Sequence, residues 1–127
     1  GIRTVISVDG ATPDVEAAHR FGLRYVHLPT SYDGVSAERA KELATAIASV
    51  PGPIYLHCHH GKHRSASALG VAAVMNGKLS TEQAVARMKV SGTAADYKGL
   101  WASVQQAKAI DVSQLRVDPS TLPGAAP

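Results

Sequence analysis

The fold of this 127-residue chain is decided by residues 54–75, which read IYLHCHHGKHRSASALGVAAVM. Ile54-Tyr55-Leu56 is apolar on both faces, which is typical of a buried strand in a parallel sheet. Residues 65–75 are rich in alanine and predict a tightly packed helix, which Asn76-Gly77 ends. Residues 57–64 therefore connect a buried strand to a helix, and this succession is the building unit of α/β proteins.

The rest of the chain shows the same alternation of strands and helices. Runs of β-branched and aliphatic residues predict strands over residues 2–8 and 24–28. Helices are predicted to begin at capping residues, namely Thr12 before Pro13, Ser36, Ser80 and Asp96, the last helix covering roughly residues 96–110. We therefore expect an α/β fold with a mostly parallel central sheet flanked by helices.

The composition indicates one globular domain. Apolar residues make up 45% of the chain and charged residues 18%, and no apolar run approaches the ~18 residues of a membrane span. We expect a single domain over residues 1–117 and a disordered, proline-rich tail over residues 118–127. The net charge of +3 is too small to indicate a nucleic-acid partner. The single cysteine, Cys58, excludes an internal disulfide or a cysteine-rich zinc module and fits a cytoplasmic location.

Positive charge is concentrated beside that cysteine. No acidic residue lies between Glu42 and Glu82, and the basic side chains of this stretch cluster at His57, His59, His60, Lys62, His63 and Arg64. A solvated basic face is the ordinary interpretation of such a run. This run, however, follows the carboxyl end of a strand and precedes a helix N-terminus, where unpaired N–H groups favour an anion. We therefore interpret it as an anion-binding loop.

Three residues of this loop have the chemistry of phosphoryl transfer. Gly61 lets the backbone curl so that successive amides point inward, and Arg64 can bind two phosphate oxygens with its planar guanidinium. In such a positive setting the pKa of the Cys58 thiol is expected to fall, so that the thiolate predominates at neutral pH. A thiolate below a bound phosphate is placed for nucleophilic attack on phosphorus.

The pattern His57-Cys58, five residues and Arg64-Ser65 resembles the HCx5R(S/T) signature loop of the cysteine-dependent protein tyrosine phosphatases. Their dual-specificity-like branch is the most similar, because the chain is short and lacks the larger phosphotyrosine-recognition elements. The order of strands, loops and helices also follows that branch over roughly residues 2–110. The resemblance implies that Cys58 is the nucleophile and that Arg64 holds the phosphate and the transition state. It also implies that Ser65 eases departure of the sulfur and that His57 orders hydrogen bonds around the loop. The branch has a further strand and helix, which we expect before Gly1.

The resemblance also implies an aspartate that protonates the leaving oxygen. Asp33, in Ser31-Tyr32-Asp33-Gly34, is the first candidate and lies 25 residues before Cys58. Asp9 is the second candidate, because it too follows a predicted strand. Both precede a glycine, and an Asp-Gly pair also fits a simple turn.

The other loop residues are expected to bind the substrate. We expect the phosphate to be bound by inward-directed amides of the loop and by Arg64, the binding residues being His59, His60, Gly61, Lys62, His63 and Arg64. The side chains of His59, His60, Lys62 and His63 are expected to point outward and form the rim of the pocket. Zinc ligands converge on one point, which adjacent loop histidines do not, so neither a metal nor a cofactor is expected. Family members that act on phosphoinositides or inositol phosphates are also basic here, so such a substrate remains open beside a phosphoprotein.

Together these patterns predict a phosphomonoester hydrolase that works through a cysteinyl-phosphate intermediate on phosphotyrosine, phosphoserine or phosphothreonine in proteins. One alternative is a phosphoinositide or inositol phosphate phosphatase with the same loop. Another is a rhodanese-like sulfurtransferase, whose loop is usually shorter and does not require arginine and serine at positions 64 and 65. A Walker-type nucleotide loop is excluded, because Lys62 is followed by His63 rather than by serine or threonine.

Overall fold

The computed structural model of the protein describes residues 1–11 and 14–125. Within these ranges the elements are, in chain order, β1 (Thr4–Ser7), α1 (Val15–Arg20), β2 (Arg24–His27), α2 (Ala37–Ser49), β3 (Ile54–His57), α3 (Arg64–Met75), α4 (Thr81–Ser91), α5 (Lys98–Gln106), α6 (Val112–Leu115) and a 3-10 helix (Pro119–Thr121). No helix of the described ranges is both long enough and apolar enough to cross a membrane.

The three strands form one parallel sheet in the order β2-β1-β3. Ile6, Val26 and Leu56 share a register position, so their side chains lie on one face of the sheet. This face packs against α2 and α3 through Leu43 and Ala68, both of which are inaccessible to solvent. The predicted α/β fold, with a parallel sheet flanked by helices, is thereby confirmed.

The strand β3 is not buried on both faces, contrary to the prediction. Tyr55 shares its register with Val5 and Tyr25 on the opposite face of the sheet, and it is 51% exposed. Right-handed crossovers that run in opposite directions along a sheet place their helices on opposite faces, so α1 covers this face. Because α1 packs against β2, at the far edge from β3, Tyr55 remains accessible.

The helix caps are confirmed at two of the predicted positions. Ser36 caps α2 by accepting a hydrogen bond from a backbone N–H of the first turn, and Ser80 forms a reciprocal capping box with Gln83 at the start of α4. The predicted cap at Asp96 is wrong, since α5 begins after Tyr97 and has no side-chain cap. The predicted cap at Thr12 lies outside the described residues.

The C-terminal part of the chain differs most from the prediction. The helix expected over residues 96–110 ends at Gln106, because the chain turns back and the Ile110 N–H donates to the carbonyl of Met75 at the end of α3. Residues 118–125, part of the tail expected to be disordered, include the 3-10 helix Pro119–Thr121. Leu122 is only 5% exposed and joins the core cluster beneath the sheet.

Candidate active site

The candidate active site lies at the carboxyl edge of the sheet. Cys58 is the first residue after β3 and α3 begins at Arg64, so the segment between them, the signature loop (residues 58–64), leads into a helix N-terminus. Asp9 follows β1 and Tyr32 follows β2, which brings residues from all three strands to one edge. The two crossovers run in opposite directions along the sheet, and parallel sheets bind ligands at such a switch point.

Cys58 is buried at the base of the signature loop, with 8% of its surface exposed. Its Sγ accepts a hydrogen bond from the Gly61 N–H at 3.3 Å and lies 3.2 Å from Ser65 Oγ. Burial raises the pKa of the thiol, but hydrogen bonds from the Ser65 hydroxyl and from the N–H groups of Ser65, Gly61 and His60 outweigh this effect. The pKa of Cys58 is therefore lower than that of an ordinary thiol, which favours the nucleophilic thiolate.

The curl of the signature loop depends on Gly61. Its φ of +73° is in the left-handed region, which costs residues with a Cβ about 1–2 kcal/mol. A Cβ at this position would meet no atom within 4 Å, so glycine is required by the backbone conformation and not by space. This conformation turns the Gly61 N–H toward the sulfur of Cys58.

Arg64 extends along the site as a buried cation. It is 7% exposed, its Nη2 donates to Asp9 Oδ1 at 3.1 Å, and its Cζ lies 4.3 Å from the centre of the Tyr32 ring. No described residue accepts a hydrogen bond from its buried Nε. The guanidinium is thus held on two sides, while its buried Nε–H has no acceptor among the described residues.

The two aspartates proposed as general acid occupy different surroundings. Partial desolvation raises the pKa of Asp9, but hydrogen bonds from the Arg64 guanidinium and the Gly10 N–H outweigh it, so the pKa is lowered. Asp9 is therefore ionised and engaged with a cation at neutral pH, which does not suit a proton donor.

Asp33 lies in a tight turn whose ends, Ser31 and Gly34, form an isolated antiparallel bridge. The carboxylate is exposed and hydrogen-bonds to no described residue, whereas the neighbouring Tyr32 covers Arg64. The backbone of this turn packs against α5, where a Cβ at Gly99 would overlap the carbonyl of Asp33. The close approach at Gly99 thus fixes the turn next to the site.

The side chain of His57, to which the resemblance assigns the ordering of hydrogen bonds around the loop, contacts two tyrosines of the sheet. Its Nε2 lies 3.1 Å from the hydroxyl of Tyr25 on β2, and its ring stacks on Tyr55 with centroids 5.5 Å apart. The backbone carbonyl of His57 accepts a hydrogen bond from the Val8 N–H at 2.9 Å, which joins the ends of β3 and β1 at the edge of the sheet. The side chain therefore ties β3 to β2 across the exposed face of the sheet.

The remaining basic residues of the loop separate into two groups. His59, His60 and Lys62 are exposed, and the two imidazoles contact each other edge to face with ring centroids 4.4 Å apart. The ring of His63 is half-buried, and its Nδ1 accepts from the Ala94 N–H at 3.1 Å, so this side chain faces the chain between α4 and α5 and not an open rim. Within residues 1–11 and 14–125, no three His, Cys, Asp or Glu side chains are grouped as metal ligands.

Several residues around the site were not identified from the sequence. In the sequence Tyr32 is distinguished only as the neighbour of Asp33, yet it covers the guanidinium of Arg64. Thr93 and Ala94 contact the signature loop from 31 residues away. No periodicity or local motif links such distant segments, so only the fold reveals these contacts.

Comparison with known proteins agrees with this geometry. No protein-family model and no curated protein matches the chain. Among solved structures, TpbA from P. aeruginosa superimposes with a TM-score of 0.69 and 22% identity, over 94% of this chain and 74% of TpbA. A cysteine-to-serine form of TpbA has been crystallised in complex with phosphotyrosine, written pTyr. The chain has the fold of the cysteine-dependent phosphatases.

Two further structures share this phosphatase fold. The core catalytic domain of the PP-IP phosphatase SIW14 from S. cerevisiae gives a TM-score of 0.71 at 12% identity, over 90% of this chain and 72% of that domain. A DUF442 protein from Shewanella putrefaciens CN-32 gives 0.63 at 18% identity, over 84% and 71%. The fold expected from the resemblance is thereby confirmed at low sequence identity.

Proposed function

We propose that the protein hydrolyses phosphomonoesters through a cysteinyl-phosphate intermediate on Cys58. The observation that carries this proposal is the position of the Cys58 sulfur, which receives the Gly61 N–H and lies next to the Ser65 hydroxyl. Beside it, Arg64 keeps a buried N–H without a described partner. An activated thiolate beside a helix N-terminus and an arginine is the combination that attack on a bound phosphate needs.

The first step transfers the phosphoryl group to sulfur. The Cys58 thiolate attacks phosphorus, the S–P bond forms, and the bond from phosphorus to the ester oxygen breaks. We assign Asp33 as the acid that gives its proton to this oxygen, because the other candidate, Asp9, is ionised and paired with Arg64. Arg64 and the loop N–H groups stabilise the charge on the non-transferring oxygens.

The second step releases inorganic phosphate. The Asp33 carboxylate takes a proton from water, the water oxygen attacks phosphorus, and the S–P bond breaks. The departing Cys58 thiolate is stabilised by the Ser65 hydroxyl, whose oxygen lies 3.2 Å from the sulfur. The enzyme returns to its starting protonation state, with one alcohol and one phosphate as products.

For the substrate we propose phosphotyrosine, phosphoserine or phosphothreonine in a protein. A structure with the same fold, TpbA, has been crystallised with phosphotyrosine, which supports a phosphorylated side chain as substrate. A second candidate is an inositol phosphate or phosphoinositide. It is favoured by the exposed basic side chains of His59, His60 and Lys62 at the loop, which suit a polyanion, and by the similarity to the PP-IP phosphatase SIW14.

A hydrolysis panel tests this proposal. The wild-type protein and Cys58→Ser are given an aryl phosphate, phosphotyrosine, phosphoserine and phosphothreonine peptides, and inositol phosphates, with release of phosphate as the readout. We expect turnover by the wild type, none by Cys58→Ser, and retained phosphate binding by that variant. A parallel assay follows the transfer of sulfur from thiosulfate to cyanide. Activity in that assay without phosphate release would contradict the proposal in favour of a sulfurtransferase.

A further inference from the structure

The segment between α4 and α5 (residues 92–97) makes two direct contacts with the end of the signature loop. Thr93 Oγ1 donates to the carbonyl of Lys62 at 2.6 Å, and the Ala94 N–H donates to Nδ1 of His63 at 3.1 Å. Lys62 and His63 are the last two residues before Arg64 begins α3. The contacts therefore act on the part of the loop from which the catalytic arginine extends.

The segment is itself held rigidly on both sides. Gly92 ends α4 in a left-handed conformation, and the Thr93 N–H donates back to the carbonyl of Met88, whose side chain is fully buried. On the other side the Trp101 indole N–H donates to the carbonyl of Ala94 at 2.9 Å. Thr93 is only 7% exposed. A segment fixed at both ends can impose its geometry on the loop that it touches.

The contact of His63 also affects the N-terminus of α3. His63 occupies the N-cap position, where a side-chain acceptor normally bonds the first N–H groups of the helix. Here the Nδ1 acceptor is bonded to Ala94 and no side chain caps α3, while Tyr97 packs on the imidazole with centroids 4.8 Å apart. The side chain of His63 therefore takes up none of the N–H groups in the first turn of α3, next to the place where an anion would bind.

We infer that His63 and Thr93 are positioning residues: they fix the end of the signature loop so that its N–H groups and Arg64 are arranged for phosphate before substrate arrives. This inference rests on the proposed phosphatase function. Neither residue needs to touch substrate through its side chain, since each acts through the backbone of the loop. A displacement of about 1 Å in an active site can lower the rate about 100-fold. We therefore expect the loss of either hydrogen bond to change kcat by a larger factor than it changes the folding equilibrium.

Two substitutions of His63 distinguish the effect of its Nδ1 hydrogen bond from the effect of its aromatic ring. His63→Phe keeps an aromatic ring against Tyr97 but removes the acceptor, whereas His63→Asn offers an oxygen close to the position of Nδ1. With an activated aryl phosphate we expect kcat to fall roughly 10- to 100-fold in His63→Phe and to recover to within about 5-fold of wild type in His63→Asn. The inhibition constant of vanadate should weaken in His63→Phe and recover in His63→Asn.

A second pair of variants tests the other hydrogen bond. Thr93→Val removes the hydroxyl while keeping the shape, and we expect a roughly 10-fold or larger fall in kcat and weaker vanadate inhibition. Thr45→Val, on α2 and away from the site, is the matched control and should behave like wild type. All variants are assayed well below their melting temperatures.

The outcomes are distinct from those that test the proposed function. If His63→Phe and Thr93→Val show these falls in kcat and weaker vanadate inhibition, while His63→Asn stays within about 5-fold of wild type, the inference is supported. Equal kcat and vanadate inhibition in His63→Phe and wild type, or a His63→Asn variant as impaired as His63→Phe, would overturn it without affecting the phosphatase assignment. A wild type without phosphatase activity would instead overturn the proposed function, on which this inference depends.

Discussion

Arg64→Met is expected to abolish turnover and yet leave the free protein at least as stable as wild type. The guanidinium is 7% exposed, and its buried Nε has no described acceptor. Such an unpaired buried donor costs roughly 1–3 kcal/mol. The partly exposed ion pair with Asp9 and the contact with the Tyr32 ring together offset about 1 kcal/mol of this cost. Methionine fills a similar volume without charge, so the free energy of unfolding should rise by about 0–2 kcal/mol.

Thermal unfolding in a phosphate-free buffer measures this change. For a domain of this size, 1 kcal/mol corresponds to about 4 °C in Tm, so Arg64→Met should melt at the wild-type temperature or up to about 8 °C above it. Phosphate at 100 times its Kd should stabilise the wild type by about 2.7 kcal/mol and the variant by much less. Arg39→Met, which removes a partly exposed arginine paired with Glu42 on α2, is the control and should change neither activity nor the response to phosphate.

Two results would refute this reasoning. A Tm of Arg64→Met more than about 4 °C below wild type, without any anion present, would mean that the buried guanidinium stabilises the free protein. Full stabilisation of the variant by phosphate would mean that the anion binds elsewhere. In either case the buried Nε–H of Arg64 would not be the donor that binds phosphate.

Three further predictions follow from contacts in the site. Ser65→Ala removes a hydrogen bond to the sulfur, so the pKa of Cys58 should rise and the midpoint of its alkylation by iodoacetamide should move to higher pH; an unchanged midpoint would contradict this. Asp33→Asn should lose about 10²–10⁴-fold in kcat on alkyl phosphates and less on activated aryl phosphates, whereas an Asp9→Asn variant with that leaving-group dependence would reverse the assignment. Gly99→Ala places a Cβ against the Asp33 carbonyl, so calorimetry should show that the free energy of unfolding falls by roughly 1–3 kcal/mol, and kcat should also fall. Wild-type values for both quantities would mean that the turn can move aside without cost.

The sequence was sufficient where the signals are local. The strand, signature loop and helix were recognisable from residues 54–75, because an apolar run, a glycine and a basic cluster follow one another directly. Serine caps at Ser36 and Ser80 were equally local and are confirmed. Each of these features depends on neighbours within a few residues, which is the range over which propensity and capping act.

The sequence was insufficient where distant segments meet. The ion pair between Asp9 and Arg64 joins residues 55 positions apart, and nothing in the Asp9-Gly10 pair distinguishes it from a turn. The tail appeared too rich in proline to pack, yet Leu122 enters the core because the chain runs back along β2, where the His27 N–H donates to the Gly124 carbonyl. Such contacts are decided by tertiary packing and leave no periodic signal.

The most direct test of the central claim is to trap the covalent intermediate. Radiolabelled aryl phosphate is mixed with the protein at acidic pH, the reaction is quenched within milliseconds to seconds, and the labelled peptide is identified by mass spectrometry. We predict one phosphoryl group on Cys58, formed and lost at rates that account for turnover, more persistent in Ser65→Ala and absent from Cys58→Ser. Turnover without any label on Cys58, or undiminished turnover by Cys58→Ser, would contradict the account.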